Sequence, residues 1–153
     1  MLKLHPRNVI TPCVRALAAT AAIALAATVF VPASAGAEET ITIELNKLEP
    51  QGDQCRAYLV IHNKSDTDYS ELKLDLVLFK PDGVIDRRFA VELAPLKANK
   101  RTVKLFDLEG TACTDAGSFL INDVMECKTA SGPVPDCLQN IAVSTLTNVQ
   151  LTK

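Results

Sequence analysis

Four cysteines in the body of the chain, Cys55, Cys113, Cys127 and Cys137, and a lone histidine, His62, are the residues with the most chemical potential. Thiols can serve as a redox pair, as metal ligands or as disulfides, and spacing separates these roles. A redox pair sits close in sequence, as in Cys-x-x-Cys, where one thiolate is stabilised; that spacing does not occur. A zinc site draws on short paired ligand spacings, and one histidine beyond residue 37 does not complete such a set. Structural disulfides remain, and no metal or cofactor is expected. Four thiols allow three pairings. Cys127 and Cys137 flank a stretch rich in turn residues, with Ser131-Gly132-Pro133 and Pro135, so a bridge there would close a loop, and Cys55 would then pair with Cys113. Chain-entropy reasoning assigns roughly 3 kcal/mol to the short loop and roughly 4 to the long one.

His62 stands beside Asn63, with Ser65, Asp66 and Asp68 following. As a general base it would need an orienting acid and a nucleophile; these neighbours occupy a turn without an oxyanion signature, so a strand-end histidine facing solvent is expected, and no catalytic residue. Glu49, Asp53, Asp123 and Glu126 lack the spacing of a calcium loop. Asn63-Lys64-Ser65 matches the N-glycosylation pattern, which matters in a eukaryotic secretory pathway; the alanine-rich run near the start of the chain suggests bacteria instead, where the tripeptide reads as a β-turn. Arg87 and Arg88, followed by Lys100, Arg101 and Lys104, concentrate positive charge. If the two strands carrying them were neighbours, Arg88, Lys100 and Lys104 would share an outward face able to bind an anionic group, or would protect a sheet edge by charge.

These residues need an address and a scaffold. Lys3, Arg7 and Arg15 precede an apolar, alanine-rich run from Ala16 to Val31, and Ala33-Ser34-Ala35 and Ala35-Gly36-Ala37 are small-x-small cleavage sites. This is the pattern of a secretory signal peptide over residues 1–37, leaving a domain over 38–153 in the periplasm or outside the cell. As a retained anchor the run is short of the about 20 apolar residues a span requires, because Pro32 ends it, so no stable membrane insertion is expected after cleavage. Cys13 precedes the apolar run and cannot be a lipoprotein's acylated residue; the arginines are isolated, so no twin-arginine signal is present.

Without the first 37 residues, 13 basic side chains face 18 acidic ones. That balance argues against nucleic acid or an anionic membrane as partner. The remaining 116 residues suit one domain.

Period-two alternation dominates. Ile41, Ile43 and Leu45 alternate with polar residues; Cys55 to Ile61 is more continuously apolar, as in a central strand; Leu72, Leu74, Leu76 and Leu78 fall on one face of a strand but would scatter around a helix. Pro81-Asp82-Gly83 then supplies turn chemistry. Further strands are predicted from Ile85 to Leu93, Arg101 to Leu108, Ser118 to Cys127 and Ile141 to Leu151. Seven short strands separated by turn clusters predict an all-β, immunoglobulin-like antiparallel sandwich with two disulfides.

From Tyr58 to Leu108 the order is YLVIHNKS, LKLDLVLF, a PDG turn, VIDRRFAVEL and KRTVKLF. This resembles the FxLYD type of prokaryotic extracytoplasmic domain, an immunoglobulin-like module with a strand closing on Asn and an aromatic strand end leading to Asp-Gly. Phe79-Lys80-Pro81-Asp82-Gly83 departs from the usual Tyr-Asp step. The whole mature chain is also similar to small secreted proteins of alphaproteobacteria. The resemblance implies the fold and carries no active site. The expected function is therefore that of a non-enzymatic accessory or interaction protein whose partner is an envelope or secreted protein; the alternative is a ligand- or anion-binding sandwich using residues 87–104.

Overall fold

The computed structural model describes residues 40–153; the segment read as a signal peptide lies outside them. Nine strands form two sheets: β1 (Ile41–Gln51), β2 (Gln54–Asn63), β3 (Tyr69–Phe79), β4 (Ile85–Glu92), β5 (Lys100–Leu108), β6 (Ser118–Thr129), β7 (Gly132–Pro133), β8 (Ile141–Thr145) and β9 (Gln150–Thr152). One sheet has the order β5-β2-β1-β8; the other has β4-β3-β6-β7, with β9 also on β6. The regular structure of the described residues is otherwise limited to single 3-10 turns at Cys113–Asp115 and Cys137–Asn140. The described residues form an all-β sandwich whose strands divide between two sheets as in immunoglobulin-like domains.

The alternation read from the sequence is the packing. Leu72, Leu74, Leu76 and Leu78 of β3 are buried between the sheets, as are Ile41, Ile43 and Leu45 of β1 and Ala57, Leu59 and Ile61 of β2. Phe89, Phe106 and Phe119 close the side where β4 and β5 lie: the first two rings are 5.6 Å apart, and Phe106 meets Phe119 edge-on at 6.3 Å. Such pairs add about 0.5–1.5 kcal/mol beyond the area they bury.

Two departures from the expected strands have local causes. The predicted seventh strand is divided. β8 runs parallel to β1 in one sheet and β9 parallel to β6 in the other, so the pairing is not wholly antiparallel. Thr145 and Thr147 make the switch: each hydroxyl donates to the Val149 carbonyl, at 2.8 and 3.0 Å, while Thr147 and Val149 donate their amides back to the threonine oxygens, both at 3.1 Å. These bonds satisfy the bend's backbone with side chains, and the ladder breaks. The second departure is β7, two residues within the Cys127–Cys137 loop that pair with the end of β6.

Gly117, just before β6, packs against the β3–β4 turn and donates its amide to the Phe79 carbonyl at 2.8 Å. A Cβ there would come within 2.6 Å of the Pro81 nitrogen and closer still to the Lys80 carbonyl. Gly117→Ala is therefore expected to lower the thermal midpoint by several degrees, a loss of about 1–3 kcal/mol typical of overpacking, whereas Leu146→Ala, at an exposed position, changes it little. An unaltered midpoint for Gly117→Ala would show that this contact does not constrain the fold.

Candidate functional site

The cysteines form two bridges, Cys55–Cys113 and Cys127–Cys137. Cys55 is fully buried at the start of β2, so the long bridge joins the middle of one sheet to the loop that enters the other. The short bridge closes the turn-rich loop after β6. All four of these thiols are consumed.

Asn63, read as the start of a turn, is fully buried. Its amide donates to the carbonyls of Thr67 (2.8 Å) and Lys97 (3.1 Å), and its oxygen accepts from the Ser65 hydroxyl (2.7 Å) and amide (3.1 Å). Asp66 accepts from the Asn99 side chain, and Asp68 from Lys97 and the Ala98 amide. The neighbours of His62 thus clasp the β2–β3 turn to the segment leading into β5. His62 itself points with Tyr58 and Val60 to the outer face of β2 and is half-buried, opposite Arg101. Among the described residues no group of three or more His, Cys, Asp or Glu is placed to hold a metal ion.

The basic residues of 87–104 do not converge. β4 and β5 are edges of different sheets, so the shared face conditional on their being neighbours is not formed. Arg87 donates to the Glu109 carbonyl and the Thr111 hydroxyl. Arg88 donates to Asp75 at 2.6 Å on the outer side of its sheet. Lys104 has the parity of Phe106, facing the other sheet, and its ammonium reaches the Ala94 carbonyl at 3.0 Å. Lys100 and Arg101 begin β5 beside Asn63 and His62.

Sequence reasoning missed two features. The first is Asp75: alternation put it on the solvent side of β3, yet it is only 4% exposed, covered by Arg88 and by Asn122, whose amide donates to it at 2.7 Å. The Arg88 hydrogen bond holds its carboxyl below the usual range, against the opposing effect of burial. Neither partner is near Asp75 in sequence, so no local signal announced it.

The second is the outer face of β5. Arg101, Val103, Leu105 and Asp107 alternate along it, paired with His62, Val60, Tyr58 and Arg56 of β2. Val103 is 58% exposed and Leu105 54%. At one end Arg56 grips Asp107 with two bonds, 2.7 and 3.0 Å, which lowers the Asp107 pKa. Tyr58 donates its hydroxyl to Glu49 at 2.6 Å under the Lys47 ammonium. The centre is apolar and the other end cationic. Among the described residues β5 has one neighbouring strand, β2, and residues 100–107 make no backbone hydrogen bond outside that ladder. An open groove of about 720 Å³ lies elsewhere, beside β6 and the Cys127–Cys137 loop.

The depressed carboxylates set a pH dependence. Asp68, Asp75, Asp86 and Asp107 all titrate below their ordinary value because each accepts a bond from Lys or Arg. The folded state then binds protons less readily than the unfolded one. This stability is fully present above the ordinary carboxylate pKa of about 4 and is lost as pH falls through the lower folded values. The thermal midpoint should hold from neutral pH down to about 5 and drop below about 4; in Asp75→Asn the drop should be smaller. A variant with the same acid sensitivity as the parent would exclude Asp75 as a contributor.

No family model matches the chain, and no curated protein matches it. Among solved structures, one described as the structural characterization of IrmA from Escherichia coli is similar over 67% of this chain and 89% of that chain, with a TM-score of 0.48 and 14% identity.

Proposed function

We propose that the chain is a non-enzymatic accessory or interaction protein, periplasmic or secreted, that meets an envelope or secreted protein along the open edge of β5. The carrying observation is the exposure of Val103 and Leu105 at the centre of an edge strand whose outer backbone groups are unpaired among the described residues. Edge strands are usually short, bulged, covered or guarded by charge because an open ladder recruits other chains; the inward charge of β5, Lys104, is tied to the Ala94 carbonyl. This one is nine residues long and registers with β2 without a bulge. Added-strand recognition draws affinity from such main-chain groups and specificity from alternate side chains.

The address rests on the signal-like segment and on the two disulfides, which persist in oxidising compartments. Among the described residues no helix is long and apolar enough to cross a membrane. The resemblance of residues 58–108 to FxLYD-type extracytoplasmic modules supports the same address. The non-enzymatic reading is supported by the structural use of Ser65, Asp66 and Asp68, the groups that follow His62 in sequence.

The test is capture of interacting proteins by the exported, processed protein, comparing the parent with a Val103→Lys/Leu105→Lys variant of unchanged melting behaviour. Loss of at least one reproducible partner in the variant is expected. Identical bound sets, second copies of this chain included, would remove β5 as the contact surface.

A further inference from the structure

The outer face of β5 is self-complementary. Reading from its start, the side chains are a cation, two apolar groups and an anion: Arg101, Val103, Leu105 and Asp107. Turned about a two-fold axis through Lys104, the same order runs backwards. Arg101 then stands opposite Asp107 of a second copy, and Val103 opposite its Leu105. Opposed residues of an antiparallel pair lie on one face, so the axis must pass through a residue for identical faces to meet. Moving it to Val103 sets Arg101 against Leu105, and moving it to Leu105 sets Val103 against Asp107. Only the axis at Lys104 matches charge with charge and apolar with apolar. We propose that the partner of β5 is a second copy of this chain, joined edge to edge in this register into a continuous eight-stranded sheet.

Two-fold dimers use one self-complementary patch on both subunits, and several features of β5 fit that requirement. Arg101 is exposed and makes no side-chain hydrogen bond or ion pair among the described residues. Asp107 is fixed by Arg56, with 38% of its side chain accessible, and a carboxylate accepts from two guanidinium groups. Lys104, at the axis, directs its ammonium to its own Ala94 carbonyl on the other face of the strand, so the two like charges need not meet. The neighbouring edge of the other sheet, β4, is less free: Arg88 is committed to Asp75, and Glu92 accepts from the amides of Leu72 and Ala94. A contact confined to one strand and its flanking side chains belongs with small, reversible interfaces.

This inference rests on β5 being the contact surface, and its test separates the two ideas. Sedimentation equilibrium of the processed protein, from nanomolar to high micromolar concentration, should show monomer and dimer. Arg101→Asp alone and Asp107→Arg alone should each weaken self-association about tenfold or more by opposing like charges. Mixed together, the two variants should associate like the parent. The carboxylate introduced in one then meets the guanidinium introduced in the other, and the remaining contact is the native pairing of Arg101 with Asp107. Arg101→Asp disturbs no side-chain bond within the described residues, and the melting curve of Asp107→Arg, which loses the Arg56 pair, verifies its fold; if it does not fold, Leu105→Lys, expected to be monomeric, replaces it. A parent that stays monomeric throughout, or a dimer indifferent to Arg101→Asp and Leu105→Lys, overturns the proposal. If the parent is monomeric but a captured envelope protein is lost on changing Val103 and Leu105, the edge is the contact surface and its partner is another chain; if neither is seen, both readings fail.

Discussion

The structure depends on burying one face of each sheet against the other. The four leucines of β3 supply the centre of one layer, and the isoleucines and leucines of β1 and β2 the centre of the other. Fully burying such a side chain contributes about 1.5–3 kcal/mol. Because the side-chain period is two, a slip of one residue in β3 would turn all four leucines to the outer face and bring Lys73 and Asp75 into the core. The register is therefore fixed by apolar burial before any specific polar contact adds to it.

Polar contacts then fix what the apolar layer leaves undecided. Asn63 directs its amide and its oxygen to backbone and hydroxyl partners at the rim, so the turn after β2 and the approach to β5 are held together by one buried side chain. The Cys55–Cys113 bridge does similar work at the opposite end of β2. Together they tie down both ends of the strand on which β5 is laid. On β4, Arg87 and Arg88 commit their charge to partners inside the molecule.

Alternation made the strands legible in the sequence, and turn composition made the Cys127–Cys137 loop legible, leaving Cys55 for Cys113. Alternation gives faces but not neighbours: nothing local in Arg87-Arg88 or Lys100-Arg101 says that their strands belong to different sheets. In β5 even the face was ambiguous, because Val103 and Leu105 lie on one parity and Phe106 and Leu108 on the other. Packing against Phe89 and Phe119 resolves the choice for Phe106, and Lys104 turns inward with it. The broken seventh strand was hidden because its cause is a set of threonine hydroxyls acting as backbone partners. Asp75 was hidden because its burial is made by residues 13 and 47 positions away.

The open edge of β5 is thus a product of the same packing: Phe106 is drawn inward, and Val103 and Leu105 are left outside. Hydrogen exchange of the amides of residues 100–108, followed as a function of protein concentration, addresses that edge most directly. In dilute solution the amides bonded to β2 should be protected and the alternating amides on the free side should exchange rapidly, with the latter becoming protected as concentration rises while β4 is unchanged. Free-side amides that are protected even at high dilution, or that exchange rapidly at every concentration, would contradict an edge that pairs with a second copy.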